Sequence, residues 1–92
     1  MIEPTIGRVV WYHPVPGELG YGIGPLAAII VRVWSDYCVN LTVFDQNGDP
    51  HGKTSVALVQ DDEAPMYGYA EWMPYQKGQA DKTEAMEARA EK

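Results

Sequence analysis

The sequence predicts a mainly β domain, a small barrel of five short strands, and three observations carry that prediction. The stretch Leu26 to Gly48, LAAIIVRVWSDYCVNLTVFDQNG, is the most apolar and most β-branched part of the chain, and it reads as two strands joined by a short polar turn. Nine glycines and seven prolines punctuate the 92 residues, as short elements and tight turns require. Within Cys38 to Phe44 the alternation is strict: Val39, Leu41 and Val43 share one face, and Cys38, Asn40, Thr42 and Phe44 the other.

A chain of this length supports one compact core. The expected organisation is a barrel domain over residues 1–75 and a polar tail over 76–92 that a helix could occupy. The single cysteine, Cys38, rules out an internal disulfide and disfavours a cysteine-based zinc site. The start, MIEPTIGRVV, lacks the basic and apolar regions of a signal peptide, and the longest apolar run, Leu26 to Val31, is too short to cross a bilayer. These features set the expectation of a soluble protein in the cytoplasm, with no membrane partner.

The formal charge of −6 is unevenly placed. Residues 1–75 hold three basic side chains (Arg8, Arg32, Lys53) against nine acidic ones (Glu3, Glu18, Asp36, Asp45, Asp49, Asp61, Asp62, Glu63, Glu71), whereas the tail is balanced. The body therefore carries all of the excess negative charge. Binding to duplex nucleic acid relies on Lys and Arg neutralising phosphates, so that partner class is disfavoured.

In chain order, Ile6 to His13 reads as the first strand. Ile6, Arg8, Val10 and Tyr12 lie on one face, and Pro14 with Pro16 ends it because proline cannot donate into a ladder. The loop VPGELGYGIGP follows, its glycines at 17, 20, 22 and 24 suited to positive φ or to close approach of another surface. Strand two, Ala27 to Trp34, puts Ala27, Ile29, Val31 and Val33 on one face and Ala28, Ile30, Arg32 and Trp34 on the other. The expected core uses Ile29 and Val31 with Leu41 and Val43. After strand three, Asn47-Gly48 marks a hairpin. Strand four runs from about Thr54 to Val59 with Val56 and Leu58 inward, and a short fifth strand spans Tyr69 to Met73. Asp81 and Glu84 have capping-box spacing for a tail helix. A strand, a long glycine-rich loop, two strands, a hairpin, a fourth strand, a short turn and a last strand is the order of an SH3-like barrel.

Several motifs resemble catalytic or cofactor sites and fail on their chemistry. Gly48-Asp49-Pro50-His51-Gly52-Lys53-Thr54 is one residue short of a phosphate-binding P-loop and leads into a strand, not a helix. Gly20-Tyr21-Gly22-Ile23-Gly24 has no βαβ unit around it, so no dinucleotide cofactor is expected. His13 and His51 sit in different loops with no third metal ligand in view, and Cys38 has no neighbouring cation to activate it. Asp61-Asp62-Glu63 lacks the spaced oxygens of a calcium loop. No acid/base or nucleophile constellation can be assembled, so the expectation is a non-enzyme without cofactor or metal.

The suggestive set is aromatic. Tyr and Trp join a large apolar area to a polar handle, which suits recognition surfaces. Trp34 and Trp72 are alternatively core residues, sealing a barrel too small to close with aliphatics alone. The residues put forward for ligand or partner contact are Trp11, Tyr12, Tyr21, Tyr37 and Trp72, grouped around the 14–25 loop.

Four segments carry a resemblance: Gly7-Arg8-Val9-Val10-Trp11-Tyr12, Leu26-Ala27-Ala28-Ile29-Ile30-Val31, Val39-Asn40-Leu41-Thr42-Val43-Phe44 and Glu71-Trp72-Met73-Pro74. Through these, residues 7–74 resemble a group of small, largely uncharacterised phage and prophage proteins. The resemblance implies a phage-encoded accessory protein acting in the cytoplasm of an infected bacterium, and it carries no activity or site. Joined to the aromatic loops, it leads to a binding module that engages a host protein or sequesters a nucleotide-like small molecule. A virion or assembly component is the alternative. Unpaired strand edges make a homo-oligomer compatible with both.

Overall fold

The computed structural model describes residues 1–19, 21–22, 24–61 and 64–79. Five strands form one closed barrel in chain order: β1 (Val9–His13), β2 (Leu26–Ser35), β3 (Cys38–Phe44), β4 (Pro50–Val59) and β5 (Tyr69–Glu71). A short helix, α1 (residues 74–79), follows β5. Strands β1 to β4 form an antiparallel meander. The short β5 closes it, antiparallel to β1 through Tyr12↔Ala70 and parallel to β4 through Leu58↔Ala70. Closure is narrow: only Ala57–Val59 of β4 pair with β5, while the first part of that strand pairs with β3 alone. The expected mainly β, five-stranded barrel with a short helix near its C-terminus is the fold observed.

The core forms where the alternation says it should on β3: Val39, Leu41 and Val43 are all buried. Val56 and Leu58 meet them from β4, Val10 and Tyr12 from β1, and Ala70 with Trp72 from the end of the chain's last strand. On β2 the expectation is overturned. Leu26, Ala28 and Ile30 are buried, while Val31 is exposed and Ile29 only half-buried on the outer face. The pairing explains why one parity does not hold along this strand. Ile30 faces Leu41 but Arg32 faces Asn40, so β2 spends an extra residue there and its alternation changes phase. Val33 therefore turns back toward the core although Ile30 already points inward. Ile6 also departs from expectation. It precedes β1 in a turn and is 71% exposed.

β2 has a further register shift between Val33 and Ser35, and another bulge lies between β3 and β4. Val39 pairs with Val56 and Leu41 with Lys53, so β4 carries the extra residue. Ser55 takes it up at φ +51°, uncommon for a residue with a side chain. Asn40 Oδ1 accepts from the Ser55 amide at 2.7 Å, so the N–H displaced from the ladder keeps a partner. The β3–β4 turn is held by Asp45, whose Oδ1 accepts from the amides of Asn47 (2.9 Å) and Asp49 (3.0 Å). Gly48 supplies the positive φ that this Asn-Gly turn needs.

Two glutamines tie the barrel to its ends. Gln60 Oε1 accepts from Trp72 Nε1 (3.1 Å) and from the Ile2 amide (3.2 Å). Its Nε2 donates to the carbonyls of Ile2 (2.8 Å) and Asp36 (2.9 Å). Gln76 caps α1: its Oε1 accepts from the Met73 amide at 2.8 Å, three residues back, with Pro74 at the first helical position. Gln76 Nε2 reaches the Val9 carbonyl at 2.9 Å, so the start of α1 is fastened to β1. The expected cap at Asp81 and Glu84 lies outside the described residues.

Candidate functional site

The site is built where β1 ends. Pro14 stops the ladder after His13, and the His13 carbonyl instead accepts from the Gly68 amide at 2.7 Å. This bond brings the segment before β5 against the start of the 14–25 loop. Gly68 sits at φ +78°, and a Cβ there would stand 3.0 Å from Val15 Cγ1. The positive φ and the close approach both favour glycine there.

The loop is anchored by one carboxylate. Glu18 Oε1 accepts from the Tyr12 hydroxyl (2.7 Å) and the Val15 amide (3.2 Å), and its Oε2 meets Lys53 Nζ from β4. Backbone bonds continue the turn, from Glu18 N–H to the Val15 carbonyl and from Tyr21 N–H to the Glu18 carbonyl. Burial raises the Tyr12 phenol above its ordinary pKa, so it stays a neutral donor to Glu18. Tyr21 then packs edge-to-face with Tyr67, their centroids 6.2 Å apart and their planes at 84°.

Between these two segments lies a cleft of about 270 Å³, lined by His13, Pro14, Tyr21, Gly22, Gly24, Met66 and Tyr67. Its base is ordered by the His13 ring, stacked on Tyr69 at 4.5 Å. His13 Nε2 lies 2.9 Å from Glu71 Oε2, yet it has no hydrogen-bond partner. The contact is therefore one of charge, present when the imidazole is protonated. Lys77 Nζ stands 3.8 Å from the other Glu71 oxygen. Burial raises the pKa of the Tyr69 phenol, and the charge of Glu71 and its hydrogen bond with that hydroxyl push it further up.

The five residues put forward from the sequence separate. Tyr21 lines the cleft, half exposed. Tyr12 is 4% exposed, with its ring in the core and its hydroxyl on Glu18. Trp72 is 1% exposed, held by Gln60 and covered by Arg8, whose guanidinium stands 5.7 Å from the ring. Neither presents a surface, so their role in contact is corrected to one in packing. Trp11 is half-buried on the outer face of β1, opposite Ala27 and Glu71. Tyr37 is exposed in the β2–β3 turn and is not part of the cleft lining. Trp34, weighed as a core residue, is 54% exposed instead, under Arg32 at 4.4 Å and bonded to Asn40.

His13, Met66 and Tyr67 complete the cleft and were not selected. Met66 and Tyr67 precede β5 in a stretch with no periodicity, and only the proximity of Gly68 to His13 brings them in. The P-loop lookalike is the start of β4, with Lys53 committed to Glu18. Among the described residues no group of three metal-ligating side chains occurs, and no helix is long and apolar enough to cross a membrane. The cleft offers ring faces, a thioether and glycine backbone, which suit contact with a side chain or a flat group. No family model, curated protein or solved structure matches the chain.

Proposed function

We propose that this protein is a non-catalytic binding module that engages a segment of another protein through the cleft between the 14–25 loop and residues 64–68. The observation that carries the reading is the set of exposed rings in that cleft: Tyr21 and Tyr67 stand at right angles above a base fixed by the His13–Tyr69 stack. Aromatic groups on a rigid support supply contact area at low entropic cost, as binding hot spots do.

Size and charge weigh against the small-molecule version. At about 270 Å³ the cleft falls just below the roughly 300–1,000 Å³ typical of small-molecule sites. No Lys or Arg lines it to meet a phosphate, and the Glu71 carboxylate beside His13 opposes one. A protein partner needs only a side chain to enter. The resemblance to phage and prophage proteins supports a host protein as that partner, met in the cytoplasm of an infected cell.

An assembly or virion role rests on a different observation. On the outer face Val9 stands opposite Ile29, with Val31 exposed nearby, which gives an apolar strip along β1 and β2. The two readings separate in a capture experiment from host lysate with immobilised protein. Tyr67→Ser is expected to lose the captured partner and Val31→Ser to retain it. The reverse pattern would transfer the function to the outer sheet face.

A further inference from the structure

Resting on the assignment of the cleft as the contact surface, we infer that it takes a cationic side chain, lysine or arginine, presented by a basic segment of the partner. Three observations converge on that chemistry. The first is where the protein's own cations are. Among the described residues Arg8 lies over Trp72, Arg32 over Trp34, Lys53 against Glu18 and Lys77 beside Glu71. None of the four lines the cleft.

The second is the surrounding field. Glu71 stands 2.9 Å from His13, which lines the cleft, and Lys77 offsets part of its charge from 3.8 Å, so the attraction comes chiefly from the domain's overall charge. The barrel domain carries the whole −6 charge, and such an excess raises the local concentration and association rate of cations. The third is the wall itself. Each tyrosine ring has a negative face, and two rings at 84° make a corner that an ammonium or guanidinium can approach. Met66, 88% exposed, offers a pliable apolar surface to the alkyl stem of the incoming residue. Where side chains would begin at Gly22 and Gly24 nothing lies within 4 Å, so a peptide backbone can come close on that side.

A titration followed by amide NMR of the full chain tests this, with four probes: a lysine–serine repeat peptide, its glutamine and glutamate counterparts, and tetramethylammonium chloride. The lysine peptide is expected to shift the amides of Tyr21, Gly22, Gly24, Met66, Tyr67 and Gly68, with affinity falling as salt is raised. Tyr21→Leu and Tyr67→Leu should each weaken it by roughly 2- to 5-fold, the ratio expected for losing one exposed cation–π contact, with spectral dispersion confirming that both variants fold. Tetramethylammonium shifting the same amides more strongly than the peptide supports the cation chemistry and assigns its source to a free ammonium compound. A glutamine peptide that binds as tightly as the lysine peptide overturns the cationic specificity and leaves the cleft as a binding surface. If no peptide moves these amides, the cleft assignment itself falls.

Discussion

Gln60→Leu is the sharpest test of how this barrel is held shut. The side chain uses both lone-pair directions and both N–H groups, joining the N-terminal segment at Ile2, the β2–β3 turn at Asp36 and the buried indole of Trp72. Leucine matches it approximately in volume and removes all four bonds. Each bond contributes on the order of 0.5–1.5 kcal/mol net, with the exposed contact to Asp36 at the low end. The indole N–H, in a residue 1% exposed, would be left without an acceptor at a cost of about 1–3 kcal/mol. Strain relief and shared contacts make these contributions less than additive, so we expect a loss of about 2–4 kcal/mol. Against a total stability of roughly 5–15 kcal/mol that is a large fraction. The melting temperature should fall by roughly 10–30 °C for a domain of this size. Urea unfolding of the wild type, Gln60→Leu, Trp72→Phe and the double variant measures it as a cycle. Trp72→Phe should cost less in the Gln60→Leu background, because the orphaned donor is removed with the indole. A Gln60→Leu unfolding free energy within about 0.5 kcal/mol of wild type, or a cycle without coupling, would refute the argument.

Four further outcomes follow from the same geometry. Trp72→Ala should cost about 3–5 kcal/mol as a buried ring is lost, whereas Tyr21→Ser should stay within about 0.5 kcal/mol because Tyr21 is exposed; chemical denaturation separates them. Gly48→Ala and Gly68→Ala both place a side chain at positive φ, at about 1–2 kcal/mol each. Gly68→Ala should be the worse because Val15 must also move, and it alone should perturb the cleft amides. The Asp45 carboxyl is held below its ordinary pKa by its hydrogen bond with His51 and by the Asp49 and Asn47 amides. A depressed carboxyl stabilises the fold fully above its unfolded value of about 3.9 and loses that contribution as the pH falls through the folded one. The β3–β4 turn should accordingly open in acid before the core does, seen as early loss of the Gly48 amide's protection from exchange. At the alkaline end, Tyr12 and Tyr69 have raised folded pKa values, so stability should decline once the pH passes about 10, the unfolded value. Tyr12→Phe should soften that decline in a pH series of thermal melts.

What could be read in the chain depended on whether one rule sufficed at a given place. β3 alternates without interruption, so its inward face was plain. In β2 both faces of Leu26 to Val31 are apolar, and hydrophobicity alone does not say which one is buried. The bulge beyond Ile30 then breaks the alternation, and its cause is the pairing with Asn40 on another strand. Tyr12 shares a face with Val10, and that parity already pointed inward; its polar handle drew attention to the surface instead. For Trp72 the sequence left core and contact open; the ring packs in the core, and its indole N–H finds its acceptor in Gln60, twelve positions away. The two glutamines that fasten the ends carry no local sign of it, because their partners Ile2 and Val9 lie 58 and 67 positions off. The cleft was half visible. Its glycine-rich wall and Tyr21 stood out in the sequence, while His13, Met66 and Tyr67 join it only through the fold.

Site-specific photo-crosslinking in cells that produce the protein tests the central claim most directly, with benzoylphenylalanine placed at position 67 in the cleft or at position 31 on the outer sheet face. A discrete protein adduct from position 67 and none from position 31 is the predicted result. An adduct from position 31 alone would contradict the account, and so would a folded position-67 protein that captures nothing.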